Sequence, residues 1–152
     1  MRKILFVCTA NICRSPMAAA MFNALAEDGG LPFRAESAGT AALEGNPMAE
    51  NAQEALGEVG IYPEAHSARQ VSEDMLEAAD LVLAMGPRHV AALRKNFGDL
   101  SAGKLHTLPE YASGSPSEEG IPDPYGHTIT AYRASVRQLL GYVEPLLGRL
   151  GG

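Results

Sequence analysis

Apolar and polar residues alternate along this chain in blocks that predict a series of strands and helices. Short apolar runs bounded by turn residues are typical of buried strands, and apolar residues spaced three or four apart are typical of helices. The predicted strands are Lys3–Val7, Arg34–Ala38, Leu81–Met85 and Lys104–Leu108. The predicted helices are Pro16–Glu27, Pro47–Val59, Ser72–Ala78, Pro87–Asn96 and Thr128–Leu150. Because strands and helices alternate, we expect an α/β fold with a parallel sheet covered on both faces.

The last predicted helix and the segment before it differ sharply in regularity. The helix carries an apolar stripe that indicates core packing, formed by Ile129, Tyr132, Val136, Leu139, Val143 and Leu146. Gly141 and Pro145 should weaken or bend this helix. Pro109–Gly126 is the least regular part of the chain, and a loop of this length in a compact domain is usually functional or disordered.

Length and composition indicate an ordinary globular protein. The 152 residues are enough for one domain over residues 1–152, and 46% hydrophobic with 20% charged residues is typical of soluble domains. No apolar run approaches the roughly 20 residues that span a bilayer, and the N-terminus lacks the apolar core of a signal peptide. We therefore expect a cytoplasmic protein without a membrane partner.

Charge and cysteine content exclude several classes of function. A net charge of −6 argues against nucleic acid as a partner, since binding to the phosphate backbone requires a basic surface. One helix terminus and one arginine can still create a local positive site for an anionic substrate. The two cysteines lie five positions apart with no second pair or nearby histidine, which fits neither a disulfide framework nor a zinc site. We expect no metal and no cofactor.

The strongest chemical motif follows the first predicted strand. Cys8 ends an apolar run, Arg14 follows six positions later, and Ser15 and Pro16 suit the start of a helix, Ser15 as its N-cap. Loop N–H groups and a helix N-terminus converge on anions, and an arginine fork binds two phosphate oxygens. The same positive field stabilises a thiolate. The motif therefore predicts a nucleophilic Cys8 beneath a phosphate or similar oxyanion, which is held by Thr9, Ala10, Asn11, Ile12, Cys13, Arg14 and Ser15. The alternative is that Cys8 is a buried small hydrophobe.

Asp123, far downstream, has two interpretations. Asp-Pro is common in turns, so Asp123 can be a simple turn residue. A carboxylic acid on a loop can also deliver the proton that a leaving oxygen needs.

Several segments in order resemble the low-molecular-weight protein tyrosine phosphatases. They are Cys8–Ala18, Ser37–Thr40, His66–Gln70, Ala79–Met85 and Asp123-Pro124-Tyr125. Together with the alternating pattern, the resemblance predicts a three-layer αβα domain with a four-stranded twisted sheet in the order 2-1-3-4. It implies a hydrolase that forms a phosphocysteine on Cys8, clamps phosphate with Arg14 and uses Asp123 as general acid. The substrate would be a phosphorylated protein, with phosphotyrosine preferred, and the enzyme a monomer or weak homodimer.

The resemblance also implies roles for residues around the loop. Asn11, Ser15, Ser37 and His66 align with a hydrogen-bond network that braces the loop, and Ile12, Leu43 and Tyr125 align with the walls of the substrate cleft. Asn11 has a physical reason for its place, since asparagine tolerates the left-handed conformation that a cradle-shaped loop requires. Without the resemblance, His66 would be an ordinary histidine and Tyr125 a core residue.

Cys13 suggests redox protection. A neighbouring thiol can convert an oxidised nucleophile into a reversible disulfide, so Cys13 is the predicted redox partner of Cys8.

The chain departs from the family pattern at three positions. Ala10 replaces the usual glycine, Ala19 replaces a frequent glutamate, and Leu43 replaces a frequent aromatic residue. The first two changes remove no group that the chemistry uses, and the third bears on substrate preference.

Three other functions compete with tyrosine phosphatase activity. A protein arginine phosphatase resembles the chain through Thr107–Tyr111 and Tyr125-Gly126, but Ile12 stands where that branch has its signature threonine. An arsenate reductase on the same scaffold needs further cysteines, and none follows Cys13. A non-catalytic phosphate-binding module would not explain both a nucleophile and an acid.

Overall fold

The computed structural model describes residues 2–101 and 103–151. The strands are β1 (Arg2–Cys8), β2 (Phe33–Gly39), β3 (Leu81–Ala84) and β4 (Leu105–Thr107). The α-helices are α1 (Arg14–Asp28), α2 (Glu50–Glu58), α3 (Glu73–Ala78), α4 (Pro87–Phe97), α5 (Leu108–Ser113) and α6 (Ile129–Gly151). A short 3₁₀ helix, Gly98–Ser101, follows α4. All the predicted strands and helices are present, with ends that shift by up to a few residues.

The four strands form one parallel sheet in the order β2-β1-β3-β4, which confirms the predicted topology. Parallel strands place all their carboxyl ends at one edge, where ligands of open α/β sheets bind. Because β1 is central and ends at Cys8, this residue lies at that edge between the ends of β2 and β3.

Alternate residues of β1 enter different cores, as the two-residue period of a strand requires. Ile4, Phe6 and Cys8 pack with α1, α2, α5 and α6 in the larger core. Leu5 and Val7 pack with α3 and α4 in the smaller one. The Cys8 side chain therefore points towards the face of the sheet that α1 covers.

The apolar stripe of α6 packs in the larger core as predicted. Five of its residues are buried and Ile129 is partly buried against them. The helix continues through Gly141 and Pro145 to Gly151. None of the helices in the described ranges combines the length and apolar character needed to cross a bilayer.

A side chain forms hydrogen bonds with the main chain at the outer edge of β2. Asn23 of α1 accepts a hydrogen bond from the Ala35 N–H at 2.8 Å and donates one to the Ala35 carbonyl at 3.0 Å. This pairing satisfies main-chain groups that an edge strand otherwise exposes.

Two local predictions are wrong. Ser15 is not the N-cap of α1, because the helix begins at Arg14 and Cys13 occupies the cap position without a side-chain bond. The predicted irregular segment also begins too early, since Leu108–Ser113 is helical. Thr107 caps that helix by accepting from the Glu110 N–H at 3.2 Å. The Thr-x-x-Glu spacing of a capping box was the missed signal.

Candidate active site

The phosphate loop, residues 8–15, connects β1 to α1 at the carboxyl edge of the sheet. Gly39 lies beside Cys8 in the strand register. A Cβ atom on Gly39 would lie only 2.3 Å from the Thr9 carbonyl oxygen, so the close approach of the loop to β2 requires glycine here. The N–H groups of Thr40 and Ala41 donate to the carbonyls of Cys8 and Thr9, both at 2.9 Å, and fasten the loop to the following segment.

The Cys8 sulfur is buried, but its surroundings are polar. Its Sγ accepts from the Asn11 N–H at 3.3 Å and lies 2.9 Å from the Ser15 hydroxyl oxygen. That oxygen accepts from the Asn11 side-chain amide at 2.8 Å and donates to the Ala38 carbonyl at 3.4 Å. The Asn11 N–H, the Ser15 hydroxyl and the N-terminus of α1 therefore surround the sulfur with polar groups. A purely hydrophobic role for Cys8 does not account for these contacts.

Asn11 organises the loop. It is fully buried and has φ of 60°, the left-handed conformation that its residue type predicts. Its N–H and side-chain amide serve Cys8 and Ser15, its Oδ1 accepts from the Arg69 N–H at 3.0 Å, and its carbonyl accepts from His66 Nε2 at 2.6 Å. All four polar groups of Asn11 are therefore bonded within the site.

His66 and Arg69, which lie between α2 and α3, bond to Asn11 of the phosphate loop, and Ser37 of β2 bonds to Arg69. Because the Asn11 carbonyl only accepts, His66 carries its proton on Nε2. Burial lowers the pKa of His66 and favours this neutral form, although the bond to Asn11 acts in the opposite direction. Ser37 joins the network through its carbonyl oxygen, which accepts from Arg69 Nε at 3.0 Å. Sequence reasoning missed Arg69, although it lies within the segment containing His66.

Arg14 is 8% exposed and connects the phosphate loop with the acid segment, residues 114–128. Its Nη1 donates to the Ile121 carbonyl at 3.0 Å. Its Nη2 lies 3.5 Å from both the Thr9 hydroxyl and the Asp123 carboxylate. Its buried Nε has no hydrogen-bond partner within the described ranges, so this donor remains available to an anion.

Asp123 serves both as a turn residue and as a neighbour of Arg14. Its Oδ1 accepts from the Tyr125 N–H at 3.1 Å, and its Oδ2 lies 3.5 Å from Arg14 Nη2. The acid segment is anchored by the Ile121 N–H, which donates to the Met85 carbonyl at 2.8 Å. The carboxylate, whose side chain is 49% exposed, thus faces both solvent and the guanidinium.

The three residues predicted to form the substrate cleft differ in exposure. Tyr125 is 64% exposed and Leu43 is 71% exposed, so the interpretation of Tyr125 as a core residue is wrong. Ile12, within the phosphate loop, is partly buried. An exposed aromatic ring and aliphatic side chains offer contact area to an apolar leaving group.

Ala10 and Ala19, the departures from the family pattern, fit the structure without strain. Among the described non-glycine residues, Asn11 alone has a positive φ, so the backbone at Ala10 does not need glycine. Ala19 is buried in the larger core.

Cys13 is buried and contacts α6. Its Sγ lies 3.5 Å from the Tyr132 hydroxyl. Burial is the main cause that raises the pKa of Cys13 to about 11. Cys13 is therefore a thiol at neutral pH, and both cysteines are free.

His89 at the start of α4 is a site residue that sequence reasoning missed. It is 8% exposed, and its Nε2 lies 2.9 Å from the Thr9 hydroxyl. Burial, followed by the charges of Arg14 and Arg88, lowers the pKa of His89 to about 4, against a smaller opposing effect of Asp123. The sequence could have indicated His89 by its position. A helix that follows β3 begins at the sheet edge where Cys8 lies, so residues at its start are candidates for the site.

Comparisons with known proteins agree with this geometry. The family model for low molecular weight phosphotyrosine protein phosphatases matches residues 3–151. The chain is 40% identical over 147 residues to a protein-arginine-phosphatase of Bacillus subtilis, covering 97% of this chain and 93% of that protein. It is 41% identical over 128 residues to the low molecular weight protein-tyrosine-phosphatase YfkJ of the same organism, covering 82% and 81%.

A solved structure shares the fold closely. It is a cysteine-to-serine mutant of the YwlE arginine phosphatase with a phosphorylated active site serine, and it matches with a TM-score of 0.93 and 37% identity over 98% of this chain and 95% of that chain. The match of the family model over nearly the whole chain, together with a buried cysteine, arginine and loop at the sheet edge, shows that the chain belongs to the low molecular weight phosphotyrosine protein phosphatase family of cysteine-dependent hydrolases.

Proposed function

We propose that this phosphatase hydrolyses phosphotyrosine in phosphorylated proteins by way of a phosphocysteine on Cys8. The observation that carries the proposal is the polar environment of the Cys8 sulfur, which accepts from the Asn11 N–H and contacts the Ser15 hydroxyl, beside the buried guanidinium of Arg14. The phosphorylated serine of the YwlE mutant supports a covalent phosphate at the nucleophile's position in this fold.

In the first step, the Cys8 thiolate attacks phosphorus while the bond to the leaving oxygen breaks. Arg14 and the N–H groups of the phosphate loop neutralise the charge on the phosphoryl oxygens. Asp123, protonated at this stage, gives its proton to the leaving oxygen, so the tyrosine departs as a neutral phenol. The products are phosphocysteine and the Asp123 carboxylate.

In the second step, water replaces the sulfur. The Asp123 carboxylate takes a proton from the water as its oxygen attacks phosphorus, and the bond between sulfur and phosphorus breaks. Ser15, whose hydroxyl lies 2.9 Å from the sulfur, stabilises the departing thiolate. Inorganic phosphate leaves, and both Cys8 and Asp123 return to their starting states.

The choice of phosphotyrosine rests on the apolar walls of the cleft. Leu43 and Tyr125 expose aliphatic and aromatic surface, and Ile12 lies partly buried within the phosphate loop. A phenyl ring gains contact free energy from such surface, whereas a guanidinium loses hydration there.

Protein arginine phosphatase activity is the second candidate. It is favoured by the similarity of the chain to proteins with that name, one of them 40% identical. The same Cys8, Arg14 and Asp123 would cleave a P–N bond, with Asp123 protonating the departing nitrogen.

The experiment that separates the two candidates is a substrate panel. Peptides of one sequence carrying phosphotyrosine, phosphoarginine or phosphoserine are compared by phosphate release. We expect kcat/KM for phosphotyrosine to exceed that for phosphoarginine at least about tenfold, the effect of one apolar contact. Ile12→Thr should narrow this ratio, and the conservative Ile12→Val should preserve it. A preference of the wild type for phosphoarginine would establish the second candidate instead.

Cys13 is proposed as the redox partner of Cys8. Peroxide converts the Cys8 thiolate to a sulfenic acid, and attack by Cys13 sulfur then forms a disulfide and releases water. Peptide mass spectrometry after mild peroxide should show the Cys8–Cys13 link in the wild type. Sulfinic Cys8 without a link in the wild type would contradict this role, and Cys13→Ser is the control that cannot form it.

We also propose that the enzyme acts in the cytoplasm as a monomer or weak homodimer. A free thiolate nucleophile persists in reducing compartments, and both cysteines are free. Light scattering at increasing protein concentration measures the oligomeric state.

A further inference from the structure

His89 is connected to the phosphate clamp through one hydroxyl group. Its Nε2 lies 2.9 Å from Thr9 Oγ1, and Arg14 Nη2 lies 3.5 Å from the same oxygen. The ring is 8% exposed, and its buried Nδ1 has no hydrogen-bond partner within the described ranges. Among the described residues the ring makes one hydrogen bond. Burying a histidine in this way costs free energy, because an apolar residue would leave no unpaired nitrogen.

The surroundings of His89 favour the neutral imidazole. Arg14 approaches from α1 and Arg88 from α4 itself, whereas Asp123 of the acid segment is the opposing charge. His89 is also the third residue of α4, where the helix dipole disfavours a cation. These influences, together with burial, agree with the lowered pKa of His89.

The Thr9 hydroxyl can donate one hydrogen bond and accept two. The Arg14 guanidinium occupies one lone pair as a donor. A neutral imidazole can either accept the Thr9 proton or donate to the other lone pair, so the hydroxyl satisfies both neighbours. An imidazolium can only donate, which would place two cations on one oxygen.

We propose that neutral His89 is a positioning residue, which orients the Thr9 hydroxyl and through it holds the Arg14 guanidinium in the direction that phosphate binding requires. The inference rests on the proposed phosphatase mechanism and adds to it a residue that touches neither phosphate nor leaving group. His89 therefore affects the Arg14 guanidinium indirectly, through the Thr9 hydroxyl.

A double-mutant cycle tests this connection. His89→Leu removes the ring nitrogens at similar volume, and Thr9→Val removes the hydroxyl at an exposed position that the fold tolerates. Activity on p-nitrophenyl phosphate, which needs little help from a general acid, measures the clamp and the nucleophile. We expect each single variant to lower kcat/KM about tenfold, the effect of one hydrogen bond, and the double variant to lose no more than either.

A conservative variant and a packing control distinguish positioning from structural support. His89→Gln keeps the hydrogen bond to Thr9 and should stay within about threefold of the wild type. Val90→Ala, the neighbouring buried residue of α4, should lower the thermal midpoint without changing kcat/KM. Independent, multiplicative losses in the double variant, or an equal loss of activity in Val90→Ala, would overturn the proposal.

The pH profile supplies a readout that mere packing would not change. At pH 4, near the pKa of His89, about half of the wild-type protein carries a proton on His89, so its advantage over His89→Leu in kcat/KM should be about half of that at pH 7. A ratio that stays constant between pH 7 and 4 contradicts the proposal. If the wild type itself releases no phosphate, the proposed function fails instead, so the two failures are distinguishable.

Discussion

The phosphate loop and the acid segment hold their functional groups in opposite ways. In the phosphate loop, Asn11 is fully buried and every one of its polar groups is bonded inside the site. In the acid segment, Asp123 is half exposed and is held by one N–H of its own turn and one 3.5 Å ion pair. The difference fits the two tasks that the proposed mechanism gives these regions. A phosphate is the same in every substrate and suits a preorganised cradle, whereas leaving groups differ and need an accessible acid.

Arg14 is the point where the two regions meet. It belongs to α1 but binds the Ile121 carbonyl and faces Asp123. The orientation of the Arg14 guanidinium therefore depends on the acid segment, which carries Asp123. Variants in each region measure how far their contributions can be separated.

The largest effect should follow from removing the nucleophile. Cys8→Ser should lower turnover by about 10⁴-fold or more, because a serine hydroxyl is a much weaker nucleophile than a cysteine sulfur. Inorganic phosphate should still bind, since the loop and Arg14 are unchanged; calorimetric titration measures this binding. Turnover close to that of the wild type would show that the phosphate loop is not the reaction centre.

Removing the acid should have an effect that depends on the leaving group. Asp123→Ala should slow hydrolysis of phenyl phosphate by about 10²–10³-fold, within the range of general acid catalysis. The loss on p-nitrophenyl phosphate should be much smaller, because its leaving group departs without a proton. Equal losses on both substrates in steady-state assays would assign Asp123 to binding and not to proton transfer.

His89 should make the free energy of unfolding depend on pH. The pKa of His89 falls from 6.5 to about 4 on folding, so between these values the unfolded chain binds a proton that the folded protein does not. The free energy of unfolding should therefore decrease as the pH falls from 6.5 to 4, by on the order of 3 kcal/mol, and be fully retained above 6.5.

Urea denaturation at a series of pH values measures this dependence. His66, whose pKa is also lowered, acts in the same direction, so the difference between wild type and His89→Gln isolates His89. Identical pH dependence in both proteins would mean that His89 titrates normally in the folded state.

The smallest of these effects compares Asn11, which is buried in the phosphate loop, with Asn23, which is partly buried on α1. Asn11→Ala should lower stability by about 2 kcal/mol through lost hydrogen bonds and a strained positive φ, and should also reduce kcat/KM. Asn23→Ala is the matched control, since its side chain makes two hydrogen bonds to Ala35 away from the loop. It should lower stability without changing kcat/KM. If both variants lose activity equally, the Asn11 network is only structural.

The amino-acid sequence by itself determined most of the fold and the chemical groups. Alternation of strands and helices fixes a covered parallel sheet, because strands buried on both faces and amphipathic helices have few other arrangements. The spacing from Cys8 to Arg14 between a strand and a helix places a thiol and a guanidinium at one edge. Asn11 and its left-handed conformation follow from local backbone preferences in the same way.

Only the tertiary structure decided which distant residues complete the site. His89 meets Thr9 across 80 positions and Arg14 meets Ile121 across 107, contacts that depend on the order of the strands and on loop paths without a local pattern. Likewise, the Ser15 hydroxyl does not cap α1. It accepts from the Asn11 side chain and lies beside the Cys8 sulfur, and this arrangement depends on where the loop places Asn11. Local patterns reflect the conformational preferences of neighbouring residues, whereas these contacts depend on how separate elements pack.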